Sequence, residues 1–150
     1  PVEPGVCPPM LMSFSGNYYI QQRPHGSIIG GCSPEGHPAD YQLGNSWDFI
    51  EQMSRTITKL LPRTKGVRAV RQWSGLYNMT PDRAPIMGEA DTIKGFFLTC
   101  GYSGHGFMFG PVSGDLMAQL ILTGKTSIDI TALHYRRFAE GKLLIEPAVV

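Results

Sequence analysis

The 150 residues carry a formal net charge of +1, are 42% apolar and only 17% charged, and fit the length of one domain. A chain of this length can bury about 68–70% of its unfolded surface, so a packed core is within reach. Near-neutral charge gives no basis for a nucleic-acid or anionic-membrane partner, and no apolar run approaches the roughly 18 residues of a membrane span.

Eighteen glycines and twelve prolines imply many turns. Cys7, Cys32 and Cys100 are odd in number, far apart and without metal-ligand spacing, which points to a reducing, cytoplasmic setting. Residues 1–9, rich in proline, are expected to be irregular. The run 17–23 reads as a strand closed by the turn signal Pro24-His25-Gly26, and 27–32 returns as the second strand of an antiparallel hairpin. Alternation puts Tyr19, Gln21 and Arg23 on one face and Tyr18, Ile20 and Gln22 on the other. A face with a tyrosine and long polar groups can line a site, although such groups are more often simply solvated.

Residues 33–44 read as loop. Asn45 or Ser46 can cap a helix over 47–61, with Asp48 and Glu51 in its first turn and Ile50, Met53, Ile57, Leu60 and Leu61 as its apolar stripe. Pro62 stops it. Residues 67–79 read as extended, with Trp73, Gly75, Tyr77 and Met79 on one face; Arg63, Lys65, Arg68 and Arg71 beside them are expected to be solvated. Thr80-Pro81-Asp82-Arg83 makes a turn. A short buried strand over 95–100 then leads into a glycine-rich turn over 101–111 and a helix over 112–123. Pro111 would sit in its first turn, Leu116, Met117, Leu120 and Ile121 would form its stripe, and Gly124 would end it. A shorter helical piece over 132–138 and an extended tail over 143–150 complete the reading.

The strand, turn and helix around Gly101 form the stretch best suited to chemistry. Glycines let backbone approach a ligand, and free N–H groups of a first helical turn point at it. Gly101-Tyr102-Ser103-Gly104-His105 falls one residue short of the G-x-S-x-G elbow of a hydrolase: His105 holds the fifth position, and no convincing acid-then-histidine pair follows. Gly104-x-Gly106-x-x-x-Gly110 is one residue off a dinucleotide fingerprint and has no βαβ unit behind it. A plain glycine-rich loop accounts for the pattern equally well.

Three ordered blocks favour another reading. Trp73-Ser74-Gly75-Leu76-Tyr77-Asn78-Met79-Thr80-Pro81-Asp82, then Pro85-Ile86-Met87-Gly88-Glu89, then Gly101-Tyr102-Ser103-Gly104-His105-Gly106-Phe107-Met108, strongly resemble the C-terminal part of the D-amino-acid-oxidase-like FAD oxidoreductases. They look like the β subunits of heteromeric sarcosine oxidase, dimethylglycine-dehydrogenase-like proteins and dye-linked proline dehydrogenases. Tyr18-Tyr19-Ile20 with residues 26–31 is similar to the family's substrate-domain hairpin.

The resemblance implies an α+β chain: an antiparallel substrate-domain sheet with packing helices over 1–92, then the terminal strand, flavin-facing loop and helix of an FAD-binding domain over 93–150. The N-terminal G-x-G-x-x-G half would lie in a preceding segment or a partner subunit. It implies oxidation of the C–N bond of a small amine or amino acid by hydride transfer to FAD. Gly101, Tyr102, Ser103, Gly104, His105, Gly106, Phe107 and Met108 would face the flavin, with Tyr19 and His105 in catalytic positions and Tyr18, Tyr19 and Arg23 toward the substrate. Some relatives tether FAD through a cysteine where Gly75 stands, so non-covalent FAD is expected. Others hold the substrate carboxylate with a lysine at the place of Met108 or an arginine at that of Gly104, which leaves the substrate open. The rival expectation is a non-catalytic module of the same fold that binds no flavin.

Overall fold

The computed structural model describes residues 2–7, 9–32 and 41–144, and the expectations for 33–40 and 145–150 lie outside them. The chain forms two compact units, one up to Leu76 and one from Tyr77 onward.

In the first unit, β1 (Leu11–Ser13), β2 (Tyr18–Gln22) and β3 (Ile28–Cys32) make an open antiparallel sheet in the order β1-β2-β3. The expected hairpin is β2–β3, with Ile20 opposite Gly30 and Tyr19 opposite Gly31. Its turn is closed by Gly26 N–H donating to Arg23 O at 2.8 Å and by Arg23 N–H donating to Ser27 O at 2.8 Å. β1 was not foreseen, because three residues are too few to show a period. The α-helix α1 (Trp47–Leu60) begins at Ser46, whose Oγ accepts the Phe49 N–H at 3.2 Å. It packs against β3 at Gly30: a Cβ there would stand 2.8 Å from Met53 Cε and 3.1 Å from Ile57 Cδ1. Ile20, opposite Gly30, therefore faces the helix and is 0% exposed. Gly31 faces the other way, and a Cβ there would meet the Tyr19 ring at 2.6 Å.

Gln22, also on the helix face, is buried and fully bonded. Its Oε1 accepts the Cys7 N–H at 3.1 Å, while Nε2 donates to Glu3 O at 2.9 Å and Gly26 O at 3.3 Å. One neutral amide thus ties the N-terminal segment to the sheet.

The extended run expected over 67–79 forms no strand. A ladder needs a neighbour for its N–H and C=O groups, and no such partner pairs with it among the described residues. Val70, Trp73, Leu76, Tyr77 and Met79 are accordingly exposed.

The second unit pairs β4 (Ile86–Glu89) with β5 (Phe97–Cys100) antiparallel, Ile86 opposite Cys100 and Glu89 opposite Phe97. The long helix α2 (Gly106–Thr123) lays Leu116 and Met117 on Met87 and Ile130, with Phe97, Leu120 and Leu133 around them. A 3₁₀ turn (Thr131–Leu133) and the short helix α3 (Arg136–Ala139) follow, in place of one continuous helical piece. Open antiparallel sheets with packed helices make the architecture α+β.

Three expectations here need correction. α2 starts at Gly106, so Pro111 lies inside the helix, where it removes the donor that Phe107 O would have met. The strand expected as buried is half-buried at most: Phe96, just ahead of β5, and Thr99 within it are exposed. Ile121 leaves the stripe and is exposed; the buried face is Ser113, Leu116 and Met117, with Leu120 beside it. No helix among the described residues is long and apolar enough to cross a membrane.

Candidate functional site

The turn after β5 has three residues at positive φ within four positions: Gly101 at φ +70°, Ser103 at +50° and Gly104 at +102°. Two glycines are favoured there, and not only for φ. A Cβ on Gly101 would come within 2.4 Å of the Thr80 methyl, and one on Gly104 within 3.0 Å of the Tyr77 ring. Ser103 is the costly member, since a side chain in this region costs about 1–2 kcal/mol.

Its hydroxyl shows what holds it. Ser103 is 2% exposed; Oγ accepts the Thr80 N–H at 3.3 Å and donates to Gly101 O at 3.3 Å, while its own N–H donates to Asn78 O at 3.1 Å. The hydroxyl is committed inside the protein, which leaves no nucleophile of the hydrolase kind. Tyr102 is anchored separately, its phenol 2.6 Å from Thr99 Oγ1.

The turn runs straight into α2. His105 N–H donates to Tyr102 O at 2.9 Å, and His105 O accepts the Phe109 N–H at 3.2 Å. Among the described residues, the N–H groups of Gly104, Gly106, Phe107 and Met108 face no acceptor, as expected of a helix start without a side-chain cap. The His105 ring is half-buried and meets the Phe109 ring edge-on at 6.0 Å. The side chains of Phe107 and Met108 are exposed, Phe107 fully. Turn and helix start together are a small bay of backbone donors at the positive end of a long helix.

The structure brings Gly101 through Met108 together as one continuous element. Tyr18, Tyr19 and Arg23 belong to the first unit. Tyr19 lies on the sheet face turned away from α1, opposite Gly31; Tyr18 is on the helix face, its ring against Gly16; Arg23 is exposed at the hairpin end.

Sequence reasoning missed the strongest polar feature of the second unit. Asp82, read only as part of a turn, is buried against Arg137 of α3, with Arg137 Nε donating to Oδ2 at 2.6 Å and Nη2 to Oδ1 at 3.0 Å. The guanidinium holds the Asp82 carboxyl well below the usual carboxylate range, outweighing the opposite effect of burial. Fifty-five positions separate the partners, so no local pattern could have joined them.

A family model described as FAD dependent oxidoreductase, DAO, matches residues 3–120. The chain belongs to this family. Sarcosine oxidase subunit beta of Rhodobacter capsulatus is 30% identical over 97% of this chain and 34% of its own length. Glycine oxidase of Pseudomonas putida is 29% identical over 81% of the chain and 32% of its own. The crystal structure of L-proline dehydrogenase from P. horikoshii superposes with a TM-score of 0.86 at 35% identity, over 96% of this chain and 38% of that one. The chain spans about a third of the length of the curated relatives it matches.

Proposed function

We propose that this chain is the C-terminal part of an FAD-dependent oxidoreductase that oxidises the C–N bond of a small amine or amino acid, of the sarcosine, dimethylglycine or proline kind. The observation that carries the proposal is the set of N–H donors at Gly104, Gly106, Phe107 and Met108 without an acceptor among the described residues, built on a turn in which a side chain at Gly101 or Gly104 would be strained, in a chain of this family. The donor set fits the cofactor. A reduced isoalloxazine gathers negative charge near N1 and its C2 carbonyl oxygen, and oriented N–H groups at a helix N-terminus stabilise such charge without reorganising.

Bound FAD would supply the two-electron acceptor for the hydride leaving the substrate carbon. The chain's own contribution is positional. Backbone N–H groups of Gly104, Gly106, Phe107 and Met108 would hold the pyrimidine edge, with Gly101, Tyr102 and Ser103 shaping the turn and His105 adding an imidazole. Tyr19, Tyr18 and Arg23 would line the substrate side. The segment up to 92 would then serve as substrate domain and 93–150 as the end of the FAD domain, completed by a preceding segment or partner subunit. Gly75 offers no thiol, so the flavin would be bound non-covalently.

The test is a visible spectrum of the full-length protein purified with FAD. Flavin bands near about 375 and 450 nm are expected, with all colour released into the supernatant on acid precipitation. If both bands are missing, the redox reading fails and a flavin-free module of the same fold takes its place. Colour that stays with the precipitate overturns the non-covalent assignment alone.

A further inference from the structure

We infer that Arg137, Asp82 and Thr80 are positioning residues: a buried relay of hydrogen bonds carries the placement of α3 to the backbone of the 101–104 turn. The relay is continuous and saturated. All five guanidinium N–H groups of Arg137 are used: two on Asp82, one on Ala84 O at 2.8 Å, one on Leu133 O at 2.7 Å and one on His134 O at 3.4 Å. The Asp82 carboxylate fills its remaining acceptor sites with the Ala84 N–H and the Leu144 N–H, each at 3.2 Å.

Ala84 O is the junction, because it accepts from Arg137 and also from Thr80 Oγ1 at 2.8 Å. With the Thr80 hydroxyl hydrogen so committed, the next link is the Thr80 N–H on Ser103 Oγ, and the last is Ser103 Oγ on Gly101 O. Thr80 touches the turn a second time, since its methyl occupies the space that a Gly101 side chain would need.

A relay of this kind has a reason to exist at this place. Ser103 and Arg83 are both non-glycine residues at positive φ, one at each end of the Thr80 connection. Such conformations persist only where the surroundings over-determine them. The bonds from Asp82 and Arg137 fix the 80–84 loop, and the loop fixes Ser103. Arg137 is 4% exposed and leaves no donor for solvent, so its whole hydrogen-bonding capacity serves this arrangement.

The inference rests on the flavin reading of the turn for its effect on cofactor binding, and on the geometry alone for its effect on the turn. The experiment uses the full-length protein and its Thr80→Val, Arg137→Lys and combined variants. Thr80→Val keeps the methyl against Gly101 and puts a methyl that cannot hydrogen-bond in place of the hydroxyl; Arg137→Lys keeps the charge and loses the fork. Amide hydrogen exchange of 101–105 is followed in FAD-free protein, and FAD Kd and the flavin midpoint potential in the loaded protein. Each single variant should speed exchange at the turn and raise FAD Kd by about tenfold, and the double variant should be less than additive. The potential should move negative, because misplaced donors favour the reduced ring less. A Gln22→Ala control in the other sheet should lower the melting temperature and leave turn exchange unchanged.

Turn exchange and FAD Kd within twofold of wild type in both single variants, with only stability lost, would overturn the relay. Should Arg137→Lys not fold, Thr80→Val decides by itself. If wild-type protein binds no FAD, the flavin reading falls, while turn exchange still accepts or rejects the relay.

Discussion

The two units solve the same problem with opposite chemistry. Each must tie a distant segment to a small antiparallel sheet, and each does so with a buried polar side chain. In the first, neutral Gln22 holds backbone at Glu3, Cys7 and Gly26. In the second, the ion pair of Asp82 and Arg137 holds backbone at Ala84, Leu133, His134 and Leu144. An amide that loses a partner forfeits one hydrogen bond. A buried ion that loses its partner is left as an uncompensated charge, which is far worse. The charged solution is therefore the brittle one, and it lies beside the turn proposed to meet the cofactor.

Removing one member of the pair is expected to have the largest effect. Asp82→Ala should cost about 3–5 kcal/mol by urea unfolding of the full-length protein, because Arg137 remains buried and unpaired. A loss below about 1 kcal/mol would place the pair among ordinary surface bridges. Acid sensitivity has a definite sign. Folding depresses the Asp82 pKa, so its stabilisation is complete above the ordinary carboxylate range of about 4 and is lost only as pH falls below it. The Asp82→Ala difference should thus be flat from pH 5 to 8 and shrink in strong acid; a difference that shrinks between pH 8 and 6 would contradict the assignment.

Gln22→Ala comes next, at about 1–3 kcal/mol, with faster proteolysis near the N-terminal segment as a second readout. Ser46→Ala should cost about 1 kcal/mol through the lost α1 cap, visible in the urea midpoint without a change in slope. The smallest effect belongs to the exposed Glu51–Arg55 pair, where Glu51→Gln should change stability by about 0.5 kcal/mol or less and lose even that in high salt.

What could be read in advance follows from how local each signal is. Ser46, the Pro24-His25-Gly26 turn and the β2–β3 faces depend on residues within a few positions of one another, and the structure shows them as the sequence implies. The start of α2 did not follow from Pro111, since proline marks a helix start by preference and is tolerated further in at the loss of one bond. Residues 67–79 have strand-like alternation but pair with no strand among the described residues, and alternation alone makes no ladder. Of the site, the glycine turn was legible because its φ values demand glycine. The inward hydroxyl of Ser103 and the link between Asp82 and Arg137 were not, because both are products of tertiary distance.

The paired glycines of β3 have a use beyond fitting. Neighbouring residues of a strand point to opposite faces, so Gly30 looks at α1 and Gly31 at Tyr19. A single added methyl is then a spacer whose target is chosen by its position. At 30 it would press on the tips of Met53 and Ile57 and be felt as altered packing of α1. At 31 it would press on the tyrosine ring and so alter the proposed substrate face. Two adjacent positions in one strand thus address different neighbours, one the packing of the helix and the other the ring proposed to meet the substrate.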